Sequence, residues 1–311
     1  MKETQKYLWQ NGNIIAHHES VQPSQEISST WLLTIFEDIR AYWQASSRHQ
    51  QLFRPQDHIQ RFRQSLTCLA RHSSFSNDDL LQGCIRVLAE NNIKEDAHLI
   101  MSATVPHSRC MPCSVPHRQM NQPLVTISVV TATHSAKTDT GISCMISNWR
   151  QINDDAIPAV IKSNAHYTNT WLAQNDAVNC GFDHAIMLNQ NGKLSQAAEY
   201  NLAVISGNNL IAPPALNAIT GGITLDTIMH MATKSGLSIQ QREIDRTELY
   251  LADEVMLCGT VAEILPITSI DKRPIGNGKP GLLTRHFQHQ YEVLTRLEPD
   301  TQWSTAVPVQ L

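Results

Sequence analysis

The hydrophobic period switches along this chain between helical and extended spacing, and the switching admits only a mixed fold in two parts. Residues 57–70 place Ile59, Phe62, Leu66 and Leu69 on one helical face. Residues 77–91 repeat this with Leu80, Leu81, Cys84, Ile85 and Leu88, behind Ser76 as N-cap. Residues 7–15 read as two short strands around an Asn11-Gly12 turn. Residues 123–132 and 142–147 are β-rich, and the polar run 133–140 between them reads as a linker. Strand and helix then alternate. Residues 164–180 are helical and stop at Gly181, 184–189 and 202–206 are strands, and Gly207-Asn208-Asn209 closes a hairpin into Leu210 and Ile211. Residues 224–235 form an amphipathic helix ended by Gly236, and 281–294 a last helix. The pattern predicts an α+β chain, mainly antiparallel. Its domains are a small N-terminal one over 1–133, a linker over 134–141 and a larger one over 142–311.

The chain has 311 residues, 41% hydrophobic and 17% charged, which suits a globular protein with a substantial core. A formal net charge of -4 implies no general polyanion-binding surface and so no nucleic-acid partner. Residues 1–20 lack an apolar stretch of signal-peptide length, and no run approaches the ~20 apolar residues of a membrane span. Seven cysteines, an odd number thinly spread, argue against a disulfide framework and for a reducing cytoplasm.

Lys162 follows the apolar run Ile157-Pro158-Ala159-Val160-Ile161. A lysine ending an apolar strand can lose its charge by desolvation and become nucleophilic toward an aldehyde. Taken alone, such a lysine more often reaches out to water. Gly222-Ile223-Thr224 opens a helix, where backbone N–H groups and the positive end of the dipole suit an anion. Further on stand Leu249-Tyr250-Leu251-Ala252-Asp253-Glu254-Val255, Cys258-Gly259-Thr260-Val261-Ala262-Glu263-Ile264-Leu265-Pro266, Ser269-Ile270-Asp271 and Ile275-Gly276-Asn277-Gly278. Together these resemble the branched-chain aminotransferase group of the fold-type-IV, D-amino acid aminotransferase-like enzymes that use pyridoxal 5'-phosphate (PLP). The match covers most of the chain and is dense over residues 157–284.

The resemblance implies a two-domain fold-type-IV enzyme that moves an amino group between an amino acid and a 2-oxo acid. It also implies a homodimer with the site near domain and subunit boundaries. It makes Lys162 the Schiff-base lysine and proton shuttle, with Tyr167 donating to the cofactor phenolate oxygen. Gly222, Ile223, Thr224, Thr260 and Arg61 would hold the phosphate. Backbone N–H groups of Thr260 and Val261 would receive a substrate carboxylate.

Several positions depart from the family. Its Ser-Glu-Gly-Ala-Gly-Glu-Asn-Leu run is here Ser195-Gln196-Ala197-Ala198-Glu199-Tyr200-Asn201-Leu202, which puts Gln196 against the pyridine nitrogen in place of a glutamate. A carboxylate about 3 Å from a pyridinium is worth roughly 4–6 kcal/mol at an effective dielectric near 20, or about 3–4 units of ring pKa. A neutral amide supplies only a hydrogen bond, so the ring becomes a poorer electron sink. Glu199 could substitute only through a rebuilt loop. At the substrate end the family's His-Tyr-Gly becomes Thr30-Trp31-Leu32. Its Phe-Glu-Gly-Ile-Arg becomes Phe36-Glu37-Asp38-Ile39-Arg40, and its Tyr-Ile-Arg-Pro becomes His98-Leu99-Ile100-Met101. Trp31, Phe36, Asp38 and His98 are thus the expected substrate-binding side chains. Asp38 is poor company for leucine or valine, because burying a lone carboxylate is expensive. It suits a cationic or hydroxylated substrate, or a pair with a neighbouring base. The expected substrate is therefore more polar than the branched-chain amino acids. The divergence leaves two other readings open: elimination, decarboxylation or racemisation on the same cofactor, or a relative that has lost PLP chemistry.

One cluster owes nothing to the family. His107, Cys110, Cys113 and His117 surround a Cys-x-x-Cys and could wrap a tetrahedral zinc, form a redox pair, or simply sit in an irregular loop. Gly276-Asn277-Gly278-Lys279 lacks P-loop spacing, residues 153–155 read as a turn, and no Gly-x-Ser-x-Gly elbow occurs.

Overall fold

A computed structural model describes residues 5–20, 33–105, 122–132, 137–214, 221–297 and 303–308. The chain divides into two compact units, one of Met1–Ala132, Ile161–Ala165 and Glu298–Leu311, the other of Thr133–Val160 and His166–Leu297.

In the first unit, β1 (Tyr7–Gln10) and β2 (Asn13–Ala16) flank a turn in which Asn11 and Gly12 both have positive φ, 46° and 96°. Turns of that hand match the right-handed twist of the strands they join. There follow β3 (Leu33–Gln44), β4 (His49–Phe53), α1 (Pro55–Cys68), α2 (Asn77–Asn91), β5 (Ala97–Val105) and β6 (Leu124–Thr131). Among the described residues these strands and Ser304–Pro308 form one seven-stranded sheet, in the order C-terminal strand, β4, β3, β5, β6, β1, β2. Every neighbouring pair is antiparallel. Side chains alternate across a strand. Ile35, Ile39, Leu99, Met101, Val125 and Ile127 therefore share one face, where they pack with Ile59, Phe62 and Leu66 of α1 and Leu80, Cys84 and Leu88 of α2. The Ser76 hydroxyl accepts from the Asp79 N–H at 3.1 Å and starts α2 where the sequence places it.

The second unit contains β7 (Ile142–Arg150), α3 (Tyr167–Asn179), β8 (His184–Leu188), β9 (Leu194–Ala197), β10 (Asn201–Ser206) and β11 (Asn209–Ala212). It continues through α4 (Ile223–Lys234), β12 (Ser238–Gln241), α5 (Arg246–Leu251), β13 (Glu254–Gly259), β14 (Glu263–Ile270), β15 (Arg273–Pro274) and α6 (Leu282–Glu292). Its sheet runs β12-β11-β10-β13-β14-β7-β8-β9, with β15 beside β14. The β11–β12, β14–β7 and β7–β8 pairs are parallel and the others antiparallel. Two elements differ modestly from expectation. Residues 164–166 form a 3-10 turn ahead of α3, and α6 passes into a π-helical turn over Val293–Leu297.

Two stretches expected in the second domain join the first unit instead. Ile161, 5% exposed, packs into the first unit's core. Ser304–Pro308 pairs with β4 from Ser304↔Phe53 to Pro308↔His49. Apolar burial and strand pairing are long-range choices, and a local pattern does not say which sheet a segment will join. Among the described residues no helix is long and apolar enough to cross a membrane.

The two-faced sheet yields a direct test. Leu99→Ala, at 0% exposure on the helix-covered face, should lose about 2–5 kcal/mol in urea unfolding. Val130→Ala, 45% exposed on the opposite face, should stay within about 0.5 kcal/mol of the parent.

Candidate active site

The alternation of β3 sorts the candidate residues. Glu37 lies with Ile35 and Ile39 on the helix-covered face and is 0% exposed. A carboxylate there must be paired. Arg61 donates to it twice, Nε to Oε1 and Nη2 to Oε2, both at 2.7 Å, and His58 Nδ1 lies 3.0 Å from Oε2. His58 and Arg61 are three residues apart on α1 and so share a face. The Arg61 guanidinium and the hydrogen bonds from Arg61 and His58 hold the Glu37 carboxyl at about 2, against the upward push of burial. Burial pushes His58 below its ordinary value, with Glu37 opposing. Arg61 is thus a pre-oriented cation, held by two parallel hydrogen bonds.

Phe36, Asp38, Arg40 and Tyr42 lie on the opposite face of β3. Arg40, 1% exposed, contacts His98, its cross-strand partner, lies 3.7 Å from Asp96 and stacks 5.5 Å from the Tyr42 ring centroid. His98 is therefore buried beside a guanidinium.

Lys162 is seated on this same unit. The sequence reading has it end an apolar strand; the structure instead forms turns and bends over residues 154–157 and 159–161. Pro158 offers no N–H to a ladder, and the Asp154 carboxylate takes the Ala159 N–H at 2.8 Å. The Lys162 backbone is tied at both ends. Its N–H donates to Ser65 Oγ of α1 at 3.1 Å, and its carbonyl accepts from the Phe36 N–H at 3.0 Å. Ser163 bridges Ile35, and Asn164 Oδ1 accepts from the Thr34 N–H at 3.1 Å. The side chain, 17% exposed, puts Nζ 2.9 Å from Asp38 Oδ2 and 3.7 Å from the Phe36 ring centroid.

The second unit carries the other expected residues. Gly222 is the N-cap of α4 in extended conformation, without a side-chain cap. A Cβ on Gly222 would come within 2.1 Å of Asn201 Oδ1, so the start of α4 lies close to the Asn201 side chain of β10, which would have to move for a larger residue. Ile223 opens α4, and Thr224 in its first turn is 4% exposed. Thr260 and Val261 form the turn between β13 and β14, closed by the Gly259↔Glu263 pair, with Val261 exposed. Tyr167 opens α3 and is 37% exposed.

Gln196 pairs with Met187, which packs against Ala173 and Ala177 of α3. Gln196 therefore lies on the α3 side of β9, half-buried. Glu199 is exposed. His184 stacks on Tyr200, ring centroids 5.1 Å apart, and burial lowers its pKa to about 4, so its imidazole is neutral.

Lys162, Phe36, Asp38, His98 and Arg61 thus belong to the first unit, and Tyr167, Gln196, Gly222, Ile223, Thr224, Thr260 and Val261 to the second. Trp31 and the His107, Cys110, Cys113, His117 cluster lie outside the described residues. Among the described residues no group of His, Cys, Asp and Glu could hold a metal ion. The sequence reading did not single out the Glu37–His58 contact, although strand alternation puts Glu37 among Ile35 and Ile39, and a buried carboxylate demands a partner.

The profile of the family described as "Amino-transferase class IV" matches residues 34–270. The probable branched-chain-amino-acid aminotransferase of Aquifex aeolicus is 30% identical over 276 residues, covering 88% of each chain. The branched-chain-amino-acid aminotransferase of Salmonella typhimurium is 29% identical over 304 residues, covering 97% of each. The crystal structure of the Thermobaculum terrenum branched-chain amino acid aminotransferase in its PLP-form superposes with a TM-score of 0.90 at 31% identity, covering 98% of this chain and 99% of that one. The chain belongs to the class IV aminotransferases. Its mixed two-sheet architecture is the fold-type-IV one. Enzymes of this class use PLP, and the donor set here suits that cofactor. In the second unit, a helix N-terminus without a side-chain cap is the kind of group that suits a phosphate; in the first, a fixed guanidinium suits an anion and a seated primary amine suits an aldehyde.

Three tests follow from this geometry. Glu37 has a lowered folded pKa, so its stabilisation is complete above its unfolded value near 4.5 and fades as pH falls toward about 2. His58, also lowered, contributes in full above 6.5 and loses that contribution as pH falls below it. Urea midpoints should therefore decline on acidification from pH 7. Glu37→Gln should cost about 3–5 kcal/mol at pH 7, because it leaves a largely buried guanidinium without its carboxylate, and should flatten the limb below pH 4.5. Gly222→Ala should weaken PLP binding, read by equilibrium dialysis, because its Cβ displaces the Asn201 side chain at the start of α4.

Proposed function

We propose that this chain catalyses PLP-dependent amino transfer between an amino acid and a 2-oxo acid, on a substrate more polar than leucine or valine. The observation that carries this reading is Lys162, seated by α1 and β3 with its amine against the Asp38 carboxylate. When bound, PLP supplies an electron sink for the pair left on the substrate Cα. Lys162 Nζ would take the proton from the substrate Cα and hold it for return. Arg61, Gly222, Ile223, Thr224 and Thr260 would hold the phosphate, Tyr167 would donate to the phenolate oxygen, and Gln196 would offer its amide to the ring nitrogen. Trp31, Phe36, Asp38, His98 and the Thr260-Val261 turn receive the substrate. We further propose a cytoplasmic homodimer, with residues 134–141 as interdomain linker.

Gln196 favours a second reading, in which a less protonated ring supports elimination, decarboxylation or racemisation. Products discriminate the two, since amino transfer leaves a 2-oxo acid and aminated cofactor.

The protein with added PLP should develop a visible absorption band that is absent from Lys162→Ala. No band at saturating PLP in the parent protein would remove both readings. Gln196→Glu should speed formation of aminated cofactor about ten-fold or more, equivalent to about 1.4 kcal/mol of barrier. An unchanged rate would show that Gln196 does not limit the reaction. Efficient turnover of leucine with 2-oxoglutarate would contradict the polar-substrate assignment.

A further inference from the structure

Asp38 and Phe36 are two residues apart on β3, so the pleat puts both side chains on one face. Their shared occupant is a primary ammonium: Lys162 Nζ is 2.9 Å from Asp38 Oδ2 and 3.7 Å from the Phe36 ring centroid. A carboxylate and an aromatic face both stabilise an alkylammonium, the one by a charge-assisted hydrogen bond and the other through its π face. Neither partner is fully buried; the Asp38 side chain is 25% exposed and that of Lys162 17%. The pair therefore opens to solvent, and a second cation can reach it. His58, Arg61 and Glu37 lie on and beneath the other face of β3, where they satisfy one another. Asp38 is accordingly left to serve the open face.

We propose that Asp38 and Phe36 form a subsite for a primary alkylammonium, which Lys162 fills in the cofactor-free chain and yields to the substrate when its own nitrogen is engaged. The subsite needs no bond made or broken. One cation replaces another at the same carboxylate, so the local charge balance is kept. A substrate without an available ammonium would leave Asp38 half-buried and unpaired, which costs affinity. The ammonium can be the α-amino group of any amino acid or a distal amino group on its side chain, and the chemistry of the subsite is the same for both.

The subsite is tested without PLP. Lys162→Ala removes the resident cation, and Lys162→Ser is a second variant that does the same if the first does not fold. Titration of either with n-butylammonium, followed by isothermal calorimetry, should show saturable binding that n-butanol does not reproduce. Adding Asp38→Asn should weaken that binding at least about ten-fold, and Asp38→Glu should retain most of it. The parent protein, in which Lys162 fills the site, should not bind n-butylammonium. Binding to the parent as tight as to the Lys162 variants would overturn the proposal. So would binding that ignores the Asp38 substitutions, or no binding in a folded Lys162 variant, whether or not the protein uses PLP. A last arm rests on the PLP reading and identifies the source. If the distal group is used, Asp38→Asn lowers kcat/KM for ornithine at least about ten-fold more than for norvaline. If the α-amino group is used, both fall alike. An Asp38→Asn variant with neither value changed would contradict the subsite.

Discussion

The pleat of β3 governs the chemistry of the first unit. One strand carries Ile35, Glu37 and Ile39 toward two helices and Phe36, Asp38 and Arg40 the other way. A one-residue slip in register would exchange these sets, burying Asp38 in the apolar core and exposing Ile39. The long antiparallel register with β5, from Leu33↔Val105 to Ala41↔Ala97, makes that slip costly. Everything attached to β3 inherits its precision, including the Lys162 carbonyl, which accepts from the Phe36 N–H.

The Glu37–Arg61–His58 cluster is not cheap to bury, since a fully enclosed ion pair often gains little over an apolar replacement. Its effect here is orientational. Two parallel N–H···O bonds fix the plane of Arg61 on α1, and Ser65, one helical turn further along the same helix, accepts from the Lys162 N–H. A single helix thereby positions both the cation expected at the phosphate and the amine expected at the aldehyde. In the second unit, the contact of Gly222 with Asn201 plays a similar part, setting the start of α4 against β10.

Much of this was legible in the sequence, for local reasons. The 3.6-residue period and the Ser76 cap specify α2 to the residue, and Asn11-Gly12 specifies the first hairpin. The family resemblance named Lys162 and Arg61 as expected site residues and placed a helix start at Gly222-Ile223-Thr224, where α4 begins. What escaped were long-range choices. Nothing near Lys162 says that Ile161 will join the first unit's core or that Pro158 and Asp154 will turn the preceding run. Nothing near residue 304 says that a C-terminal strand will pair with β4. The Asp38 substitution was visible as an anomaly, and the sequence offered a neighbouring base as one partner for it; only the fold names Lys162 as that base.

The central claim is that Lys162 is the residue that bonds the cofactor. Loading the protein with PLP, reducing it with borohydride and mapping the modified peptide by mass spectrometry tests this most directly. The account predicts a single stable cofactor adduct on Lys162. An adduct on another lysine, or none in protein shown to be folded, would contradict it.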